Sequence, residues 1–164
     1  MLRNFLETRR VRRAFERMVS PETVEALLQD REARQPLKAG CIEFILTFVG
    51  GANPAEVAER VGKVADLALA HEAVVHDIVG PLVIIAFGTS PSESPKPGSR
   101  ASLLGALRGQ LAGELKILHG AADGHYGLFG GNTRMAYTFL VPHFDKMLGN
   151  LSRLKFGEVE EFHP

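Results

Sequence analysis

The sequence predicts an α+β domain with a mainly antiparallel sheet, and three observations carry that expectation. CIEFILTFVGG (41–51) is a β-branched and aromatic run closed by two glycines, which is strand composition ended by a chain-reversal signal. AVVHDIV (73–79) and LVIIAFG (82–88) are two more such runs separated by Gly80-Pro81 alone, the spacing of a β-hairpin. Between them, Val57, Val61, Val64, Leu67 and Ala68 recur at three- and four-residue steps, the repeat of one buried helix face.

The remaining elements follow in order. Residues 1–20 carry arginine at 3, 9, 10, 12, 13 and 17 against Glu7 and Glu16, with Leu2, Phe5, Leu6, Val11, Ala14, Phe15 and Met18 gathered loosely on one side. That pattern predicts a basic amphipathic helix, which packs on its own domain or on a twin, or else lies on an anionic membrane. Ser20-Pro21-Glu22 starts a second short helix by capping and dipole chemistry, running to about Asp30 and followed by the polar link REARQPLKAG. Asn53-Pro54 starts the helix that ends near His71 in the same way. Proline at the second turn position makes the 79–82 hairpin unusual. TSPSESPKPGSR (89–100) reads as a solvated loop and SLLGALRGQLAG as a helix. ELKILHGAADGHYGLFGGN reads as one or two strands broken by turns, and RMAYTFLVP as another strand. HFDKMLGNLSRL is a final amphipathic helix, and KFGEVEEF a last edge strand. The order helix, β, α, β-hairpin, α, β, β, α supports segregated α+β architecture.

The 164 residues fit one domain, with 45% hydrophobic and 23% charged residues as in ordinary globular chains. We expect a helical segment over 1–38 and the main domain over 39–164. Nineteen basic residues balance nineteen acidic ones and tryptophan is absent, so neither a whole-chain basic field nor an aromatic platform points to nucleic acid. Cys41 is the single cysteine and is expected as a small buried hydrophobe without a nucleophilic partner. With no apolar run near the length of a bilayer span and no signal-peptide core at the start, a cytoplasmic address is expected. His119, Asp123 and His125 have metal-ligand spacing if the chain stays extended through them. Gly120 and Gly124 predict a bend, and the expectation is that these are polar residues on the solvent side of a half-buried sheet. The glycines at 120, 124, 127, 130 and 131 lie among strands and predict turns and bulges, not a phosphate loop.

Four blocks in order resemble the class III adenylate/guanylate cyclase catalytic domain. VRRAFERMVSPETVEALL (11–28) is similar to the helical segment before many bacterial cyclase domains. IEFILTFV takes the place of the family's first strand, HDIVGPLVIIAFG (76–88) resembles its strand–Gly-Asp–strand block, and GLFGGNTRMAYT (127–138) its Gly-x-x-Gly, Arg-Met-x-Tyr-Thr block. The resemblance implies a ferredoxin-like cyclase-homology fold and a two-metal attack of the ribose 3′-oxygen on the α-phosphate, with the ions held by two aspartates. Carried across position by position, those aspartates fall on Phe48 and Pro81. The purine-selecting residue falls on Asp77, the second purine contact on Pro142, the ribose-orienting asparagine on Asp145 and the phosphate-steadying arginine on Gly149, with Arg153 as the alternative for that arginine. No catalytic, cofactor-binding or metal-binding residue is therefore expected. The implied reading is a pseudo-cyclase, a regulatory or dimerisation module in signalling that forms a homodimer or pairs with another cyclase-like domain. The alternative is a nucleotide-binding sensor or residual cyclase with a remodelled cleft. Phe15, Met18, the strand at 44–48 and Phe139-Leu140 exceed what one small sheet covers, which also predicts self-association.

Overall fold

The computed structural model describes residues 37–89, 96–131 and 134–163. The two helices expected over residues 1–30 lie outside the described residues. The elements are β1 (Lys38–Val49), α1 (Pro54–Ala70), β2 (Val74–Val79), β3 (Leu82–Phe87), α2 (Ser99–Gln110), β4 (Leu115–Gly131), β5 (Arg134–Leu140), α3 (Phe144–Arg153) and β6 (Val159–Phe162). The sheet runs β2-β3-β1-β4-β5, antiparallel throughout, and β6 adds in parallel to the β5 side of β4. The α+β expectation holds.

Local chemistry accounts for the main joints. Asn53 has extended dihedrals and its side chain accepts the Glu56 N–H (3.0 Å), while the Glu56 carboxylate accepts the Ala52 N–H (2.7 Å). One orphan donor of α1 and the N–H just before its cap are thus both satisfied, and Pro54 loses nothing at the first helical position. In the β2–β3 hairpin Gly80 takes a φ of 58°, the positive value a primed two-residue turn needs at its first central position. Pro81 has no N–H to leave unpaired, and its carbonyl accepts the Val49 N–H at 2.9 Å. The unusual turn therefore fits its residues.

Two apolar layers flank the sheet. On one face Ile45, Val49, Val83, Ile85 and Ile117 meet Val61, Val64 and Ala68 of α1 and Leu103 and Leu107 of α2. On the other, Ile42, Phe44, Leu46 and Leu118 meet Met147 and Leu151 of α3 together with Phe139 and Phe162. Each fully buried Leu, Ile or Phe contributes about 1.5–3 kcal/mol relative to exposure, so the alternation of β1 between faces fixes its register.

Three expectations are corrected. β4 is one uninterrupted strand over 115–131, because Gly120 and Gly124 serve close approach and not turning. A Cβ on Gly120 would lie 2.9 Å from the Phe162 carbonyl oxygen, and one on Gly124 would lie 2.4 Å from that of Leu140. Helix α2 starts at Ser99, inside the segment expected as loop, after Gly98 in the left-handed conformation. Cys41 is exposed, since β1 extends there beyond the helices that cover Ile45 and Val49.

Candidate functional site

The C-terminal end of β1 meets the β2–β3 turn and the start of α1 around a cleft of ≈ 850 Å³. Its lining includes Val49, Gly50 and Gly51 after β1, Val57 and Val61 of α1, and Phe48, Ile78, Pro81 and Phe156. None of the residues lining it is an Asp, Glu, His or Cys. The structure thus brings the sequence-predicted Phe48 and Pro81 together, across the Val49 N–H to Pro81 carbonyl bond.

Phe48 is 37% exposed and faces Leu82 on one side and Lys116 on the other across the sheet. Phe156, in the turn after α3, sets its ring 6.4 Å from that of Phe48 at 45°. The Lys116 ammonium lies 5.8 Å from the Phe48 ring centre and 5.2 Å from that of Phe156, a cation–π distance for both. Gly50 is where the Phe156 ring passes over the backbone, since a Cβ there would sit 2.7 Å from it. Sequence reasoning missed Phe156, Lys116 and Gly50 as parts of this site.

The polar groups beside the cleft are already engaged. The Arg60 guanidinium donates to the Gly50 carbonyl at 2.7 Å, pairs with Glu114 at 2.7 Å and also pairs with Glu56. The Glu56 carboxylate holds the Ala52 N–H as well. At the N-terminus of α1, where an anion would find free amides and a favourable dipole, Pro54 has no N–H and Asn53 already accepts those of Glu56 and Val57.

The other positions singled out in the sequence lie elsewhere. Asp77 is exposed on β2, its carboxylate accepting the Ile78 N–H at 2.8 Å. Pro142, Asp145 and Arg153 are exposed at the two ends of α3, and a Cβ added at Gly149 would point into open space. His119, Asp123 and His125 share one strand and one face, at register positions opposite Ile45, Cys41 and Ala39. Among the described residues no group of three or more His, Cys, Asp or Glu converges to hold a metal ion. His119 instead lies against Arg100, which reaches toward Glu43 (3.6 Å) and Glu161 (3.7 Å). Burial, and then the Arg100 charge and that of His163, hold the His119 imidazole below its ordinary value against the opposing pull of Glu161.

No protein-family model and no curated protein matches the sequence. Solved structures do match the fold. The adenylyl cyclase CyaB from P. aeruginosa superposes with a TM-score of 0.58 at 15% identity over 78% of this chain and 79% of that one. The guanylyl cyclase Cya2 gives 0.56 at 18% identity, covering 75% of each chain. A bacterial light-regulated adenylyl cyclase gives 0.60 at 12% identity over 92% of this chain and 51% of that one. The chain has the fold of adenylyl and guanylyl cyclase catalytic domains. Its cleft lies at the end of β1 and the β2–β3 turn, the two places to which the sequence resemblance carries the metal-binding aspartates.

Proposed function

We propose that this chain is a cyclase-like domain that makes no cyclic nucleotide and acts in signalling by pairing, with a second copy or with another cyclase-like domain. The observation that carries the reading is the chemistry of the cleft. Two-metal cyclisation needs anionic oxygens to hold the ions and offset phosphate charge. Phe48 and Pro81 offer none, and the Pro81 and Gly50 carbonyls are taken by the Val49 N–H and by Arg60. These residues do not fit a metal pair. Loss of one electrostatic stabiliser typically costs about 10²–10³ in rate, and the positions carried over from the family lack both aspartates and the arginine together. Among the described residues no helix is long and apolar enough to cross a membrane.

The purified chain incubated with ATP or GTP and Mg²⁺ or Mn²⁺ is expected to form no cyclic AMP or cyclic GMP above a blank. Turnover abolished by a substitution within the cleft would overturn the reading. Because ≈ 850 Å³ of cleft remains open, a second reading is a nucleotide sensor, and calorimetry separates the two. Weak or absent ATP and GTP binding, unchanged by Mg²⁺, fits the pairing domain, whereas micromolar affinity that requires metal establishes the sensor.

A further inference from the structure

The cleft at the end of β1 gathers exposed carbon from stretches of chain far apart in sequence. Phe48 of β1 is 37% exposed, Ile78 of β2 44% and Phe156, after α3, 47%, and all three line it. They are three of the seven large hydrophobic side chains exposed among the described residues, so nearly half of that exposure falls on one concavity. Phe48 pairs with Leu82 and Ile78 with Val83, and successive positions of β3 point to opposite faces. The cleft therefore wraps the end of the sheet, between the β2–β3 turn and the start of α1, and belongs to neither flat face alone. Gly50, Gly51 and Gly80 leave bare backbone in its lining, and a Cβ on Gly80 would meet nothing within 4 Å. Its ≈ 850 Å³ lies within the span of small-molecule sites, about 300–1,000 Å³.

The polar inventory of the lining is short and largely spent. Asn53 is its one polar side chain, and its amide oxygen accepts the Glu56 N–H. Pro54 and Pro81 have no N–H to offer. The Val49, Gly50 and Ala52 N–H groups donate to Pro81, Glu114 and Glu56, and the Gly50 and Asn53 carbonyls accept from Arg60 and Val57. The two nearest cations do not line the cleft. Arg60 is held by Glu56 and Glu114, and the Lys116 ammonium lies against the rings of Phe48 and Phe156.

We propose that this cleft binds an uncharged, largely carbon small molecule that carries an aromatic ring. A charged ligand would give up its hydration here without gaining a counter-ion, which is costly, whereas apolar surface gains by leaving water. The Phe48 and Phe156 rings, 6.4 Å apart and tilted by 45°, offer both faces and edges to a third ring, the offset and edge-on contacts that aromatic groups favour. A protein partner is a poorer occupant: a stable interface covers about 800 Å² of each partner and is rimmed by polar groups free to bond across it, and the polar groups here are engaged within the chain. This inference rests on the reading that the cleft holds no metal pair, and it names the class of ligand that such a cleft takes instead.

The dye Nile red, uncharged and built of fused aromatic rings, tests it on the full chain, since its emission brightens and shifts to the blue in carbon-lined surroundings. Saturable binding of one dye per chain is expected. Phe48→Asp, Ile78→Asp and Phe156→Asp are each expected to weaken it about 10-fold or more by setting a carboxylate in the lining. Leu69→Asp, at an exposed position of α1 outside the cleft, is expected to stay within about 2-fold of wild type. All four positions are exposed, and comparison is restricted to variants whose thermal melts match the parent. ATP with Mg²⁺ is expected not to displace the dye. Binding that never saturates, or that falls equally in Leu69→Asp, would show general surface adsorption and overturn the site. Displacement by ATP would overturn the ligand class, and one dye per two chains would place it between copies and overturn the cleft of the single chain as the site. A chain that binds no dye and makes no cyclic nucleotide loses this inference and keeps the proposed function. One that cyclises ATP loses the proposed function, whatever the dye does.

Discussion

The two ends of the sheet treat polar groups in opposite ways. At the cleft end the charges are few and close-fitted: Arg60 pairs with Glu56 and Glu114 and donates to the Gly50 carbonyl, and Lys116 covers two phenylalanine rings. The surface left to solvent there is apolar. At the opposite end, on the face that carries α1 and α2, Glu43, Arg100, His119 and Glu161 crowd together at looser distances. Arg100 Nη1 and His119 Nδ1 are buried there without a hydrogen-bond partner. The cleft end pairs its charged groups and exposes carbon, with the Thr47 hydroxyl its one buried polar atom without a partner among the described residues, while the other end leaves ionisable groups incompletely paired. Apolar exposure marks a surface for association, and incomplete pairing marks sensitivity to protons.

The largest expected effect separates the ends by what lies over their glycines. A methyl group at Gly124 meets the Leu140 carbonyl oxygen at 2.4 Å, whereas one at Gly50 meets the rim of the half-exposed Phe156 ring. Backbone in a paired strand cannot yield as a surface side chain can. Gly124→Ala is therefore expected to cost about 1–3 kcal/mol, the range of overpacking, and Gly50→Ala to cost less than about 1 kcal/mol while displacing Phe156. Urea unfolding of both variants checks the order. Equal losses would show that Phe156 is as rigid as the β4 backbone.

That contrast also shows where the sequence was legible. The β1 run, the α1 repeat and the Asn53-Pro54 start were readable because burial periodicity and capping are local signals, and the structure bears them out. The Gly-rich stretch of β4 misled because a glycine that admits a neighbour's backbone looks, in one dimension, like a glycine that turns. Its reason lies in Phe162 and Leu140, residues far along the chain. Phe44 and Phe139, expected among the surplus apolar residues, are covered by the α3 side of the core, while Phe48 and Leu140 stay exposed. Phe48 and Pro81 were found by position within a resemblance. Phe156 belongs to the same cleft only because the turn after α3 folds back over Gly50, with the Gly157 N–H bonded to the Leu115 carbonyl, and no local signal announces that return.

An intermediate effect is expected at the cleft end. Arg60→Met keeps much of the side-chain stem but leaves Glu56 and Glu114 without their cation and the Gly50 carbonyl without its donor. The pairs are partly exposed, which limits the electrostatic share, and a loss of about 1–2 kcal/mol is expected, mostly from the hydrogen bond to the buried side of the cleft floor. Denaturant midpoints measure it. A variant as stable as the parent would show that the network orders the cleft without stabilising the fold.

The smallest effect belongs to the other end and turns on pH. Burial, followed by the Arg100 and His163 charges, lowers the His119 imidazole from its ordinary value of 6.5, with Glu161 opposing. A base whose folded value lies below its unfolded one binds its proton more readily when unfolded. Stability therefore rises with pH across the interval between the two values, in the direction linkage requires. His119 should cost nothing well above pH 6.5 and progressively destabilise the fold as pH falls below it, levelling off once the folded form is protonated too. The imidazole is partly exposed, so solvent screening keeps the contribution to a few tenths of a kcal/mol. His119→Gln preserves a polar side chain but cannot take up the proton, and its stability should therefore fall less steeply than wild type between neutral and mildly acidic pH. Denaturation midpoints of the two proteins measured in parallel across that range isolate the difference, since every other titrating group is common to both. Parallel curves would mean that Glu161 offsets Arg100 and burial in full, and that the crowded end tolerates a proton as readily as the cleft end.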